Sequence, residues 1–148
     1  MSDTVDGLRK AGRCVVAAIA SEEFQSECSF RCLQRFPVGC CKIASLLYGR
    51  FITDNGAADG FIYVSGENHE PEYESHFWIE WQHVIVDITA HQFSEVTEVV
   101  FVGHDRSWHD RVYPKQQQWS YSSAMEFNDD YAQQFDADYA CLRSYTDT

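Results

Sequence analysis

The chain has 148 residues, enough for one ordinary domain to bury a hydrophobic core without disulfide staples. It carries 11 Lys plus Arg against 23 Asp plus Glu, a formal net charge of −12 with a pI near 4.7. Phosphate binding rests on basic side chains, so this balance argues against nucleic acid or an anionic membrane surface as the main partner and leaves polypeptides, small molecules and basic partners.

Leu8, Val15, Val16 and Ile19 recur at helical spacing and predict an amphipathic helix from Val5 to about Ala20. Its apolar run CVVAAIA follows the rather long lead MSDTVDGLRKAGR and is shorter than most signal h-regions, so it reads as a buried helix face. No stretch approaches the ~18 to 20 apolar residues of a membrane span, and a cytoplasmic location is expected, or delivery by a secretion machine without a cleavable signal. Residues 21–36 read as helix broken by turns, closed by Pro37 and Gly39. In CCKIASLLYGRF, Ile43, Leu46 and Leu47 stand at i, i+3, i+4 with no breaker until Gly49, so a helix begins at Cys40 or Cys41. TDNGAADG is a loop, FIYVS a strand and GENHEPEYE an exposed connection. SHFWIEW and VIVDIT are strands separated only by Gln82 and His83, and EVVFV is another, stopped by Gly103. HDRSWHDRVYPKQQQWS has no clear period and reads as loop, while Met125, Tyr131, Phe135, Tyr139 and Leu142 predict a closing helix between Ser122 and Arg143. With no repeat and no linker, residues 1–148 form one α+β domain, its N-terminal helices packed on a small antiparallel sheet.

A thiol is a useful nucleophile only as thiolate, which the N–H groups and dipole at a helix N-terminus favour. FPVGCCKIAS places Cys41 where that effect operates, with Lys42 adding positive charge next door and a backbone N–H available to an oxyanion. Side chains alternate along a strand, so His76, Trp78 and Glu80 share one face and Phe77, Ile79 and Trp81 the other. A two-residue turn at Gln82 and His83 pairs Trp81 with Val84 and makes Asp87 the diagonal neighbour of His76, although Gln-His is not a favoured turn pair. A three- or five-residue loop puts the two on opposite faces. An aspartate inside VIVDIT is costly unless its charge is paired, and a carboxylate-held imidazole is the partner a cysteine nucleophile needs.

A cysteine at a helix start (FPVGCCKIAS), a histidine in an HxWxE strand (HFWIEW) and an aspartate in the next strand (VIVDITAHQF) resemble the transglutaminase-like and papain-like cysteine enzyme superfamily. The resemblance covers residues 36 to 93, about two-fifths of the chain. It implies that fold, Cys41 as nucleophile, His76 as general base and Asp87 as orienting acid, with no cofactor. The activity it implies is acyl transfer on amide bonds of a protein or peptide, as a peptidase, deamidase or transglutaminase-type enzyme, and its context a bacterial effector or toxin. Papain-like enzymes use a glutamine about six residues before the nucleophile as oxyanion donor. Gln34 lies seven before Cys41 and six before Cys40, so Cys40 competes for the nucleophile's place. The Cys-x-x-Ala-Ser run at 41–45 resembles the helix of bacterial transglutaminase-like proteins and favours Cys41. Gln92 is a second polar support, and Trp78 is expected to line the cleft while Trp81 packs away. The alternative function is a non-catalytic protein-binding or adaptor domain that keeps the fold and engages a cognate partner protein.

The other motifs point to less. Cys28 and Cys32 with Cys40 and Cys41 lack the C-x2-C rhythm of zinc sites, and no metal is expected. His104 and His109, near Asp105 and Asp110, read as a solvated loop. Glu67, Glu70, Glu72 and Glu74 read as a soluble face able to steer a basic peptide towards the cleft.

Overall fold

The computed structural model describes residues 2–126 and 129–146. Three of the expected N-terminal segments form: α1 (Ser2–Ala20), α2 (Glu22–Glu27) capped by the Ser21 hydroxyl, and a 3-10 turn (Arg31–Arg35). Next comes α3 (Cys41–Asp54), which runs through Gly49 rather than breaking there. Bare backbone is needed at that point, because a Cβ on Gly49 would lie 1.9 Å from the Tyr63 hydroxyl.

A five-stranded antiparallel sheet follows from β1 (Ile62–Asn68), β2 (Glu74–Trp81), β3 (Val84–Asp87), β4 (Phe101–Gly103) and β5 (Lys115–Trp119), in spatial order β4-β3-β2-β1-β5. Between β4 and β5 lies α4 (Ser107–Val112), and the chain ends in α5 (Tyr121–Ala124) and α6 (Asp129–Thr146). The fold is α+β, as the order of patterns implies. The stretch read as one long loop is instead α4 plus the edge strand β5. All of Lys115, Gln116, Gln117 and Gln118 are exposed, so β5 has no apolar alternation to betray it.

The main core lies between the helices and one face of the sheet. Leu8, Val15 and Ile19 of α1, Leu46 and Leu47 of α3, and Phe135 and Leu142 of α6 meet Phe77, Ile79 and Val86 there. On the opposite face, Val64, Trp78, Ile85 and Tyr113 form a smaller cluster under Phe93, Phe101, Trp108 and Val112. Asp138 of α6 is buried and accepts the backbone N–H groups of Ser29 and Phe30, which ties the chain before α3 to the closing helix. Among the described residues no helix is long and apolar enough to cross a membrane.

The hairpin turn holds Gln82 and His83 at φ 46° and 68°, both left-handed, and pairs Trp81 with Val84 and Glu80 with Ile85. This is the two-residue turn whose twist matches the strands, built from residues that disfavour it. Both side chains are exposed, so changing the pair to Asn-Gly disturbs nothing packed. The double variant is expected to gain ~1 kcal/mol of stability, read as a higher urea midpoint at unchanged slope.

Candidate active site

The turn before α3 is closed by a bond from the Val38 N–H to the Arg35 carbonyl, and Gly39 at φ 74° delivers the chain into the helix. Cys40 is the N-cap residue and makes no side-chain capping bond. The first helical bond runs from the Ala44 N–H to the Cys40 carbonyl. The N–H groups of Cys41, Lys42 and Ile43 precede it and have no acceptor within the helix. Two hydroxyls fix the helix in place: Ser45 donates to the Phe77 carbonyl of β2 at 3.3 Å and Tyr48 to the Leu8 carbonyl of α1 at 2.7 Å.

Cys41 is half-buried and lines a cavity of about 270 Å³ together with Lys42, Glu67, His76 and Trp119. Cys40 is buried in the main core, and burial, with Cys32 and Cys41 beside it, pushes its thiol up to about 12. Of the paired cysteines, Cys41 lines the cavity and Cys40 packs into the core. All six cysteines are free thiols. Burial followed by the charge of Asp138 pushes the half-buried Cys28 thiol up to about 11, which disfavours its thiolate.

His76 and Asp87 are 1% and 0% exposed, and His76 Nε2 lies 2.7 Å from Asp87 Oδ2. A carboxylate only accepts, so the His76 proton on that side sits on Nε2 and Nδ1 is left for another partner. Nδ1 is buried with no hydrogen-bond partner, and His76 shares the cavity wall with Cys41. Asp87 Oδ1 accepts the Thr89 N–H at 3.1 Å, and Gln92 donates to the Thr89 carbonyl at 3.1 Å. Gln92 is therefore a support, one residue removed from the carboxylate. Gly66, paired with His76 across β1 and β2, leaves room for Tyr113 to stack on the imidazole at 5.5 Å; a Cβ there would lie 2.6 Å from Tyr113 Cβ.

Burial of the His76 ring opposes its charge, but the charge and hydrogen bond of Asp87, with Cys41 adding to them, override it and raise its pKa to about 10. For Asp87, burial favours the neutral acid, yet the His76 charge and the bonds from His109 and His76 hold the carboxyl well below the usual carboxylate range. The carboxylate is thus fully hydrogen-bonded, while the imidazole keeps Nδ1 unsatisfied.

Three expectations need correction. His109 is not in a solvated loop: it lies on α4, is 0% exposed, and its Nε2 is 2.8 Å from the same Asp87 oxygen. Arg106 at the start of α4 pairs with Glu80 of β2 at 2.9 Å and holds the helix there. Gln34 is exposed, donates to the Gln25 carbonyl at 3.3 Å and is absent from the cavity wall, so it is no oxyanion donor. Trp78 is fully buried behind the site, with its indole N–H on Glu80, and does not line the cleft. Trp119, held by its bond to the Ser65 hydroxyl, supplies the indole of the cavity wall, while Trp81 is only half-buried.

The donor atoms of His76, Asp87 and His109 lie within 4.8 Å of one another, the group among the described residues with a composition suited to a metal. Tetrahedral ligands of zinc sit ~3.4 Å apart, given bonds of ~2.1 Å. The contacts of 2.7 and 2.8 Å are those of two N–H donors on one oxygen. No family model, curated protein or solved structure matches the chain.

Proposed function

We propose that the protein is a cysteine-dependent acyl-transfer enzyme acting on amide bonds of a protein or peptide, with Cys41, His76 and Asp87 as its triad. One observation carries the reading. Cys41, at the uncapped start of α3, shares a cavity wall with an imidazole whose far nitrogen is held by a buried carboxylate and whose near nitrogen, Nδ1, is unsatisfied. The order of these elements and their resemblance to papain-like and transglutaminase-like enzymes support the same reading.

For attack, the Cys41 thiol passes its proton to His76 Nδ1, giving thiolate and imidazolium. The thiolate sulfur attacks the carbonyl carbon, and the oxyanion is met by N–H groups at the start of α3. His76 Nδ1 gives its proton to the leaving nitrogen, the C–N bond breaks and a thioester remains. Water or an amine then attacks the thioester and loses a proton to Nδ1, the C–S bond breaks, and the Cys41 sulfur leaves as thiolate beside the imidazolium. Water makes the enzyme a peptidase or deamidase, and an amine makes it a crosslinker.

Residue-resolved iodoacetamide labelling tests the nucleophile. Below the His76 pKa of about 10 the imidazolium faces Cys41, so Cys41 is expected to label at pH 6 at least ~10-fold faster than Cys14 or Cys141. Candidate protein substrates incubated with the wild type should change mass, and those incubated with Cys41→Ala should not. Equal labelling of all accessible cysteines, with no mass change, sinks the enzyme reading and leaves a binding domain.

A further inference from the structure

The proposed triad uses two members, His76 and Asp87, of a cluster of three buried groups. His109 is the third. It is 0% exposed, its ring lies 4.8 Å from those of Trp78 and Trp108, and its Nε2 is 2.8 Å from the oxygen that His76 also engages. The acceptor is a carboxylate, so His109 presents a proton on Nε2, and its Nδ1 is buried without a partner. The position is also built. Asp105 accepts the Ser107 N–H to start α4, and Arg106 bonds Glu80, Asp110 and Gln116, joining α4 to β2 and to the edge strand.

We propose that His109 is a positioning residue for the reaction: its Nε2–H occupies one lone pair of Asp87 Oδ2, aims the carboxylate at His76 and limits the charge that His76 feels. This rests on the triad reading. A carboxylate with one imidazole donor would hold the imidazolium tightly and make it a reluctant acid. Shared between two donors, it still fixes the His76 tautomer but releases the Nδ1 proton more readily to a leaving group. Other groups within electrostatic reach are His91, Tyr113, Glu74 and Cys41 around Asp87 and its neighbours, and Asp105 and Asp110 around His109. All remain in place when His109 alone is changed.

The test is an NMR pH titration of the His76 ring in the full chain, with its signal assigned by His76→Gln. It compares wild type with His109→Phe, which keeps the ring volume but has no donor, His109→Asn, whose amide is too short to reach, and His109→Gln, whose amide reaches Oδ2. The His76 midpoint is expected to rise by ~0.5 pH unit or more in the Phe and Asn variants and to stay near wild type in the Gln variant. If all three midpoints match wild type, or if Gln shifts as far as Asn, the proposal is overturned. The Asn variant keeps the test decisive if the Phe variant does not fold. Iodoacetamide labelling of wild-type Cys41 is read separately: an ordinary rate there ends the enzyme reading, while the titration still reports what His109 does to His76.

Discussion

Asparagine in place of Asp87 is expected to cost ~3–5 kcal/mol of stability and at least ~100-fold in any activity that depends on Cys41. The carboxylate takes N–H donors from His76, His109 and Thr89. An amide has one oxygen to offer, and its NH2 end must confront at least one of these donors. The charge that opposes desolvation of the His76 ring disappears as well. Burial is the largest influence on that ring and acts to lower its pKa, so without the carboxylate its midpoint should fall from about 10 to below the ordinary histidine value of ~6.5. At neutral pH the imidazolium that faces Cys41 is lost. Native stabilities run at ~5–15 kcal/mol, so the variant should remain foldable in the cold but melt well below wild type. Urea unfolding, the His76 titration and Cys41 labelling together check the claim. A variant with wild-type stability and an unmoved His76 would mean that Asp87 is not the anchor of the site.

The sequence shows Asp87 because an acid inside VIVDIT demands a partner, and His76 because the period of two places it on the same face. That inference needed only the even turn, and the turn is even even though Gln82 and His83 are poor choices for it. Register here follows from burial on both sheet faces: Trp78 and Ile85 go to one cluster, Ile79 and Val86 to the other, and a one-residue slip would exchange them. His109 was illegible because α4 is one short helix of six residues, too brief for a period to emerge. The signal present is fainter: an Asp-x-Ser start at Asp105 and Ser107, followed by Trp108 with Val112 and His109 with Tyr113 at i, i+4. Read as a helix, those pairs give it an apolar side that needs a surface to cover. Gln34 failed for another reason. Spacing along the chain cannot show where a side chain points, and here the 3-10 turn and the Gly39 turn direct it to the Gln25 carbonyl.

The stability of the folded chain should be greatest in mildly acid solution and fall as the pH rises from ~6.5 towards 10, with His76 the main single contributor to the slope. Its folded pKa of about 10 lies above the unfolded value of ~6.5, so its contribution is complete below ~6.5 and is lost as the folded form deprotonates. At ~1.4 kcal/mol per pH unit, the ceiling is roughly 5 kcal/mol over the interval ending at about 10. Asp87 has the opposite sign: its folded carboxyl is held down, so its contribution is complete above the unfolded value of ~3.9 and is lost only in strong acid. Two other effects slope the same way as His76. A net charge of −12 at pH 7 relaxes as the pH falls towards the pI of 4.7, and buried Cys40, pushed up to about 12, resists the ionisation open to an unfolded thiol. Asp87→Asn separates them, because it removes the His76 contribution and leaves charge repulsion and the thiols nearly as they were. Urea unfolding at one-unit steps from pH 4 to 10 should therefore give a steep alkaline decline in the wild type and a shallower one in the variant. Parallel curves would assign the decline to repulsion and the thiols, and would mean that the His76 imidazolium is not stabilised in the fold.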